Sequence, residues 1–105
     1  MDTLNRLEST IRQRLSADPS ASYVAKLNAR GVGAIAQKVG EEATETVIAA
    51  LSGSDQDLVG EAADLLFHLT VLLQAKGIAL ADVMAELDRR EGVSGLEEKA
   101  SRKES

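Results

Sequence analysis

Two long stretches rich in alanine and leucine, 34–51 and 55–76, are separated only by Ser52, Gly53 and Ser54. Few folds accommodate that. Each stretch is long enough for a helix of five or six turns, at 3.6 residues per turn. A connection this short folds two such helices back into an antiparallel hairpin. The remaining segments have the same character. Leu4, Leu7, Ile11 and Leu15 recur at helical spacing, which predicts a first helix over 3–17. Asp18, Pro19 and Ser20 end it, because the residue before proline avoids the α region. Ser22 is placed to cap a short helix over 23–30, after which Gly31 and Gly33 permit a turn. Asp55 or Asp57 is expected to cap the fourth helix, with Gly77 just past its end. A fifth helix begins near Leu80, with Ile78 and Val83 spaced as a hydrophobic staple. It ends at Arg89, Arg90 and Gly92, where cations suit a helix C-terminus. The expectation is an all-α bundle of four to five helices in one domain, 1–92, followed by a polar tail, 93–105, that orders on substrate or partner.

In the fourth helix Leu65, Leu66, Phe67, Leu69, Val71, Leu72 and Leu73 point in every direction around the axis. A helix apolar all round is buried all round. One chain of 105 residues has little material to cover it. A homodimer with this helix near the interface resolves the difficulty.

Composition narrows the function. With no cysteine there is no disulfide framework and no thiolate metal site. A formal net charge of −5 argues against general nucleic-acid binding. The N-terminus lacks a long apolar signal segment, and no 18-residue apolar run is expected to span a bilayer. The reading is a cytoplasmic protein without membrane contact.

Much of the negative charge sits on the two long helices, as Glu41, Glu42 and Glu45, then Glu61 and Asp64. Successive helical residues advance about 100°, so Glu45 falls between Glu41 and Glu42 in azimuth. Glu61 and Asp64 are one turn apart on the facing helix. Carboxylates set among Val39, Ala43, Val47 and Ile48 are costly without a positive partner, and no Lys or Arg follows any of the first three by four residues. Four or five oxygen ligands suit a hard divalent cation, Mg²⁺ or Mn²⁺. A solvated acidic face is the plainer alternative. Such a centre fits phosphoanhydride hydrolysis, with a carboxylate free of metal orienting a water or taking its proton. Glu41 stands outside the regular Glu42 and Glu45 spacing and is the candidate for that role. Lys38, one turn earlier, either grips a phosphate or offsets carboxylate repulsion. Lys26 and Arg30 form a second basic pair, and Arg89 and Arg90 a third; all four are candidate phosphate contacts or plain solvated charges. His68, the single histidine, is either a neighbour that orients a carboxylate or a satisfied core residue.

The stretches 35–50 and 58–69 carry these acids. Together with the flanks 22–27 and 90–99, they resemble the phosphoribosyl-ATP pyrophosphatase family of histidine biosynthesis. The acids alone indicate only the wider superfamily of all-α nucleotide pyrophosphatases; the flanks point to the histidine-pathway branch. The resemblance implies a four-helix-bundle-type core completed by dimerisation. It also implies Mg²⁺-dependent hydrolysis of phosphoribosyl-ATP between its α and β phosphates, giving phosphoribosyl-AMP and pyrophosphate. By motif match Glu42, Glu45, Glu61 and Asp64 would ligate the metal, with Glu41 alongside. In this pathway the activity can be fused to a cyclohydrolase. No Cys or His cluster for that enzyme's zinc is present, so the stand-alone form is expected. The competing readings are a house-cleaning pyrophosphatase for aberrant or deoxynucleoside triphosphates and a non-catalytic helical dimerisation module. A di-iron bundle is disfavoured, since those sites use Glu-x-x-His pairs and Leu65 precedes His68 by three.

Overall fold

A computed structural model describes residues 2–92 together with Lys99 and Arg102. The rest of the expected tail, 93–105, lies outside the described residues. Every element among the described residues is helical: α1 (Thr3–Arg14), α2 (Tyr23–Ala29), α3 (Val32–Ser52), α4 (Asp55–Ala75) and α5 (Leu80–Arg90).

Side chains at the helix ends explain the boundaries. Asp2 caps α1 by accepting from the Asn5 amide at 2.9 Å. The helix stops at Arg14, earlier than the expected residue 17. The Asn28 side chain of α2 donates to the Leu15 carbonyl at 3.1 Å and satisfies an end group that another turn would have used. Ser22 caps α2 as expected, accepting from the Ala25 amide. Gly31, at φ 96°, makes the turn into α3, whereas Gly33 lies inside the first turn of that helix instead of helping to break the chain. The cap of α4 is Ser54, not Asp55 or Asp57. The Ser54 hydroxyl accepts from the Asp57 amide, and the Asp57 carboxylate accepts from the Ser54 amide, both at 3.1 Å. This reciprocal pair is a capping box with aspartate as its acid. Gly77, at φ 73°, follows the end of α4 as expected.

α3 and α4 form the antiparallel hairpin. Glu42 faces His68, Glu45 faces Glu61, and Gly53 approaches Asp57. The core is built at one end of it, from Ile11 of α1, Val24 and Leu27 of α2, Ile35 near the start of α3 and Val71 near the end of α4. Leu7, Leu15, Phe67, Leu72 and Ala75 pack around these five. α5 is tied on through its first turn. Ala79, its cap, contributes no side-chain bond, and Glu8 of α1 supplies one instead, accepting from the Leu80 amide at 2.6 Å and from Gln74 at 2.9 Å.

In line with the expectation that one chain has little material to cover it, α4 is not buried on all sides: Val59 is 63% exposed, Leu66 47% and Leu69 37%. On α3, Val47, Ile48 and Leu51 are likewise exposed. The hairpin therefore carries open apolar surface, at the end away from the core through Val47, Ile48, Leu51 and Val59 and along α4 through Leu66 and Leu69. α4 also contains an 18-residue window of mean hydropathy 1.4, long and apolar enough by composition to cross a membrane, contrary to the sequence reading. Glu61 and Asp64 fall within α4, and its buried residues are His68, Thr70 and Val71.

Candidate metal centre

Midway along the hairpin, where the core gives out, Glu42 and Glu45 of α3 meet Glu61 of α4. Each offers a carboxylate oxygen, and the three oxygens lie within 4.8 Å of one another. Glu42 is 6% exposed. Its Oε1 faces the Lys38 ammonium at 3.5 Å and His68 Nδ1 at 4.0 Å. Its Oε2 is buried without a hydrogen-bond partner, and so is Oε2 of Glu61. A buried acceptor left unpaired costs about 1–3 kcal/mol, and more when it is charged. One lysine does not neutralise three carboxylates. Removal from water works against the Lys38 charge, but Tyr23 and the carboxylates of Glu41 and Glu42 outweigh it and raise the pKa above the ordinary lysine value.

This donor set fits a hard divalent cation. The ligands are all carboxylate oxygens, Glu42 and Glu61 each carry a buried oxygen without another partner, and the three groups lie within 4.8 Å of one another, close enough for small side-chain shifts to bring them onto one cation. Glu45 is exposed on the rim and has rotamer freedom to close the remaining distance. It borders two hollows. One, of about 280 Å³, is lined by Glu45, Ile48, Ala49, Asp57 and Glu61. The other is lined by Gln37, Gly40, Glu41, Thr44 and Glu45.

The other sequence candidates are placed as follows. Glu41 is exposed on the second hollow, outside the trio. Asp64 is exposed one turn after Glu61 and also stands outside the trio. Lys38 is drawn in, and its ion pair is with Glu42. Lys26 borders a surface cleft with residues 19–23, and Arg30 is exposed at the C-terminal cap of α2. Arg89 and Arg90 both grip Glu86 on α5, at 2.8–2.9 Å. Their hydrogen bonds push the Glu86 carboxyl down to about 2. Sequence reasoning missed Tyr23, whose hydroxyl lies 2.8 Å from His68 Nε2. The two are 45 positions apart, and no local pattern joins them.

A family model described as phosphoribosyl-ATP pyrophosphohydrolase matches residues 4–91. The chain belongs to the phosphoribosyl-ATP pyrophosphohydrolase family. Relatives agree with this over nearly the whole length. A phosphoribosyl-ATP pyrophosphatase of Erythrobacter litoralis is 70% identical over 97% of this chain and 98% of its own. One from Novosphingobium aromaticivorans is 68% identical over 96% and 94%, and one from Rhizorhabdus wittichii is 66% identical over 95% and 94%. The family match spans α1 through α5, so both the apolar core and the carboxylate trio fall within it.

Proposed function

We propose that this protein hydrolyses phosphoribosyl-ATP at its α–β phosphoanhydride, yielding phosphoribosyl-AMP and pyrophosphate, an early step of histidine biosynthesis; relatives named phosphoribosyl-ATP pyrophosphatase support this reading. The observation that carries the site assignment is the pair of buried, unpartnered oxygens on Glu42 and Glu61. Glu42, Glu45, Glu61 and Asp64 would hold Mg²⁺, with Mn²⁺ as a substitute; when bound, the cation neutralises phosphate oxygens and polarises a water.

The chain's own residues supply the rest. Lys38 holds Glu42 in place and offsets part of the local negative charge. Glu41, exposed on the adjoining hollow, orients the attacking water and takes its proton as the water oxygen bonds to phosphorus and the bridging P–O bond breaks. Lys26, Arg30, Arg89 and Arg90 are the candidate contacts for the remaining phosphates, with Lys38 as a fifth. The open apolar surface of α3 and α4 supports a homodimer. A soluble small-molecule substrate is in keeping with our reading of a cytoplasmic enzyme without membrane or nucleic-acid contact.

The test is pyrophosphate release with Mg²⁺ from phosphoribosyl-ATP, ATP and a panel of deoxynucleoside triphosphates. Strong preference for phosphoribosyl-ATP, lost roughly a hundredfold or more in Glu42→Gln and Asp64→Asn, is the expected result. Preference for deoxynucleotides would move the function to nucleotide house-cleaning.

A further inference from the structure

Three helices converge behind Glu42 on a group of side chains that the proposed hydrolysis leaves unused. Tyr23 opens α2, and its ring is 50% exposed, yet its hydroxyl turns inward to His68 Nε2 at 2.8 Å. The other ring nitrogen, Nδ1, lies 2.8 Å from the Asp64 main-chain carbonyl. A carbonyl only accepts, so Nδ1 carries the hydrogen, and the Tyr23 hydroxyl then donates to Nε2. Packing restrains the ring as well. The His68 ring meets Phe67 edge-on at 5.2 Å and Tyr23 at 5.7 Å, while Tyr23 and Phe67 stack at 6.2 Å. Both ring nitrogens are thereby accounted for, two aromatic rings pack against the imidazole, and His68 is 7% exposed.

The same Nδ1 lies 4.0 Å from Glu42 Oε1, too far for a hydrogen bond, and its hydrogen goes to the Asp64 carbonyl, so the ring packs beside that oxygen without bonding it. Lys38 approaches Oε1 as well. Glu42 is thus held by one oxygen, which leaves Oε2 turned away and unpartnered. Resting on the reading of Glu42 as a metal ligand, we propose that Tyr23 and His68 are positioning residues: the chain from Tyr23 hydroxyl to imidazole to Asp64 carbonyl locks α2 to α4 and sets Glu42 with Oε2 free for the cation. Groups that orient a metal ligand from behind typically account for 10–100-fold in metal affinity.

The experiment measures binding of Mn²⁺ alone by the loss of its free electron-paramagnetic-resonance signal, alongside the metal-free melting temperature. Tyr23→Phe keeps the ring and its stacking and removes only the hydroxyl. It is expected to weaken Mn²⁺ binding several-fold while the metal-free melting temperature stays near the parent's. His68→Leu is expected to weaken binding about 10–100-fold, and His68→Asn, whose amide nitrogen reaches the place of Nδ1, to recover part of that loss. If His68→Leu does not fold, Tyr23→Phe decides. Parental Mn²⁺ affinity in Tyr23→Phe overturns the proposal, whatever happens to the melting temperature. Glu42→Gln separates the two levels. Affinity lost in Glu42→Gln but intact in Tyr23→Phe defeats only the positioning role, whereas affinity intact in Glu42→Gln defeats the metal-site reading beneath it.

Discussion

Three acids that are equivalent as letters on one helix have different surroundings in the fold. Glu42 is buried and paired with Lys38, whereas Glu41 and Glu45 are exposed. The sequence separated Glu41 by spacing alone; in the fold it also stands outside the carboxylate trio, on the rim of the second hollow. Glu41→Gln is expected to lower turnover by about 10²–10⁴-fold with Mn²⁺ affinity preserved. Steady-state rates and metal titration together check this, and unchanged turnover contradicts it. Arg89 and Arg90 show how a residue-scale reading divides. Their place in the last turn was legible, but the grip on Glu86 three and four residues back is what the folded helix makes of them. The Glu86 carboxyl, held down to about 2, sits below its unfolded value near 4.5. Its contribution is therefore present above pH 4.5 and is lost as pH falls toward 2. The difference in melting temperature between the parent and Glu86→Gln should shrink between pH 6 and pH 2, by a small amount because both partners are exposed to solvent. A constant difference contradicts it.

At the scale of elements, five helices were legible because apolar periodicity and turn residues agree along the chain. The ends were less so, because other elements settle them. Asn28 stops α1 from across a loop, and Glu8 caps α5 from 72 positions away. Ser54 was overlooked in favour of two aspartates, although Ser54 and Asp57 carry the capping-box spacing with Asp in place of Glu. The prediction belongs to that cap. Ser54→Ala should destabilise the protein by about 1 kcal/mol, seen as a lower denaturant midpoint at unchanged slope. An unmoved midpoint would show that the hairpin holds without it. The facing carboxylates were legible because a short connection makes α3 and α4 antiparallel. The Tyr23–His68 contact was not, because it depends on how α2 lies across the hairpin.

For the whole molecule, the core occupies one end of the hairpin, Val47, Ile48, Leu51 and Val59 are left open at the other, and Leu66 and Leu69 are open farther along α4. Fully burying one such side chain contributes about 1.5–3 kcal/mol, so a second copy covering this surface would be substantially stabilised. If the proposed homodimer forms through this surface, the parent sediments as a dimer and Leu66→Glu as a monomer in sedimentation equilibrium; a parent of monomer mass, or a variant of unchanged dimer mass, would contradict that reading. The central claim concerns what completes the carboxylate trio. Its most direct test is the melting temperature of the parent and of Glu61→Gln, each with and without Mg²⁺. A ligand that binds only the folded state at a hundredfold excess over its Kd stabilises by about 2.7 kcal/mol, which shifts a domain of this size by about 10 °C. The account predicts a rise of that order in the parent and little or none in Glu61→Gln. The same rise in both, or none in the parent, would contradict it.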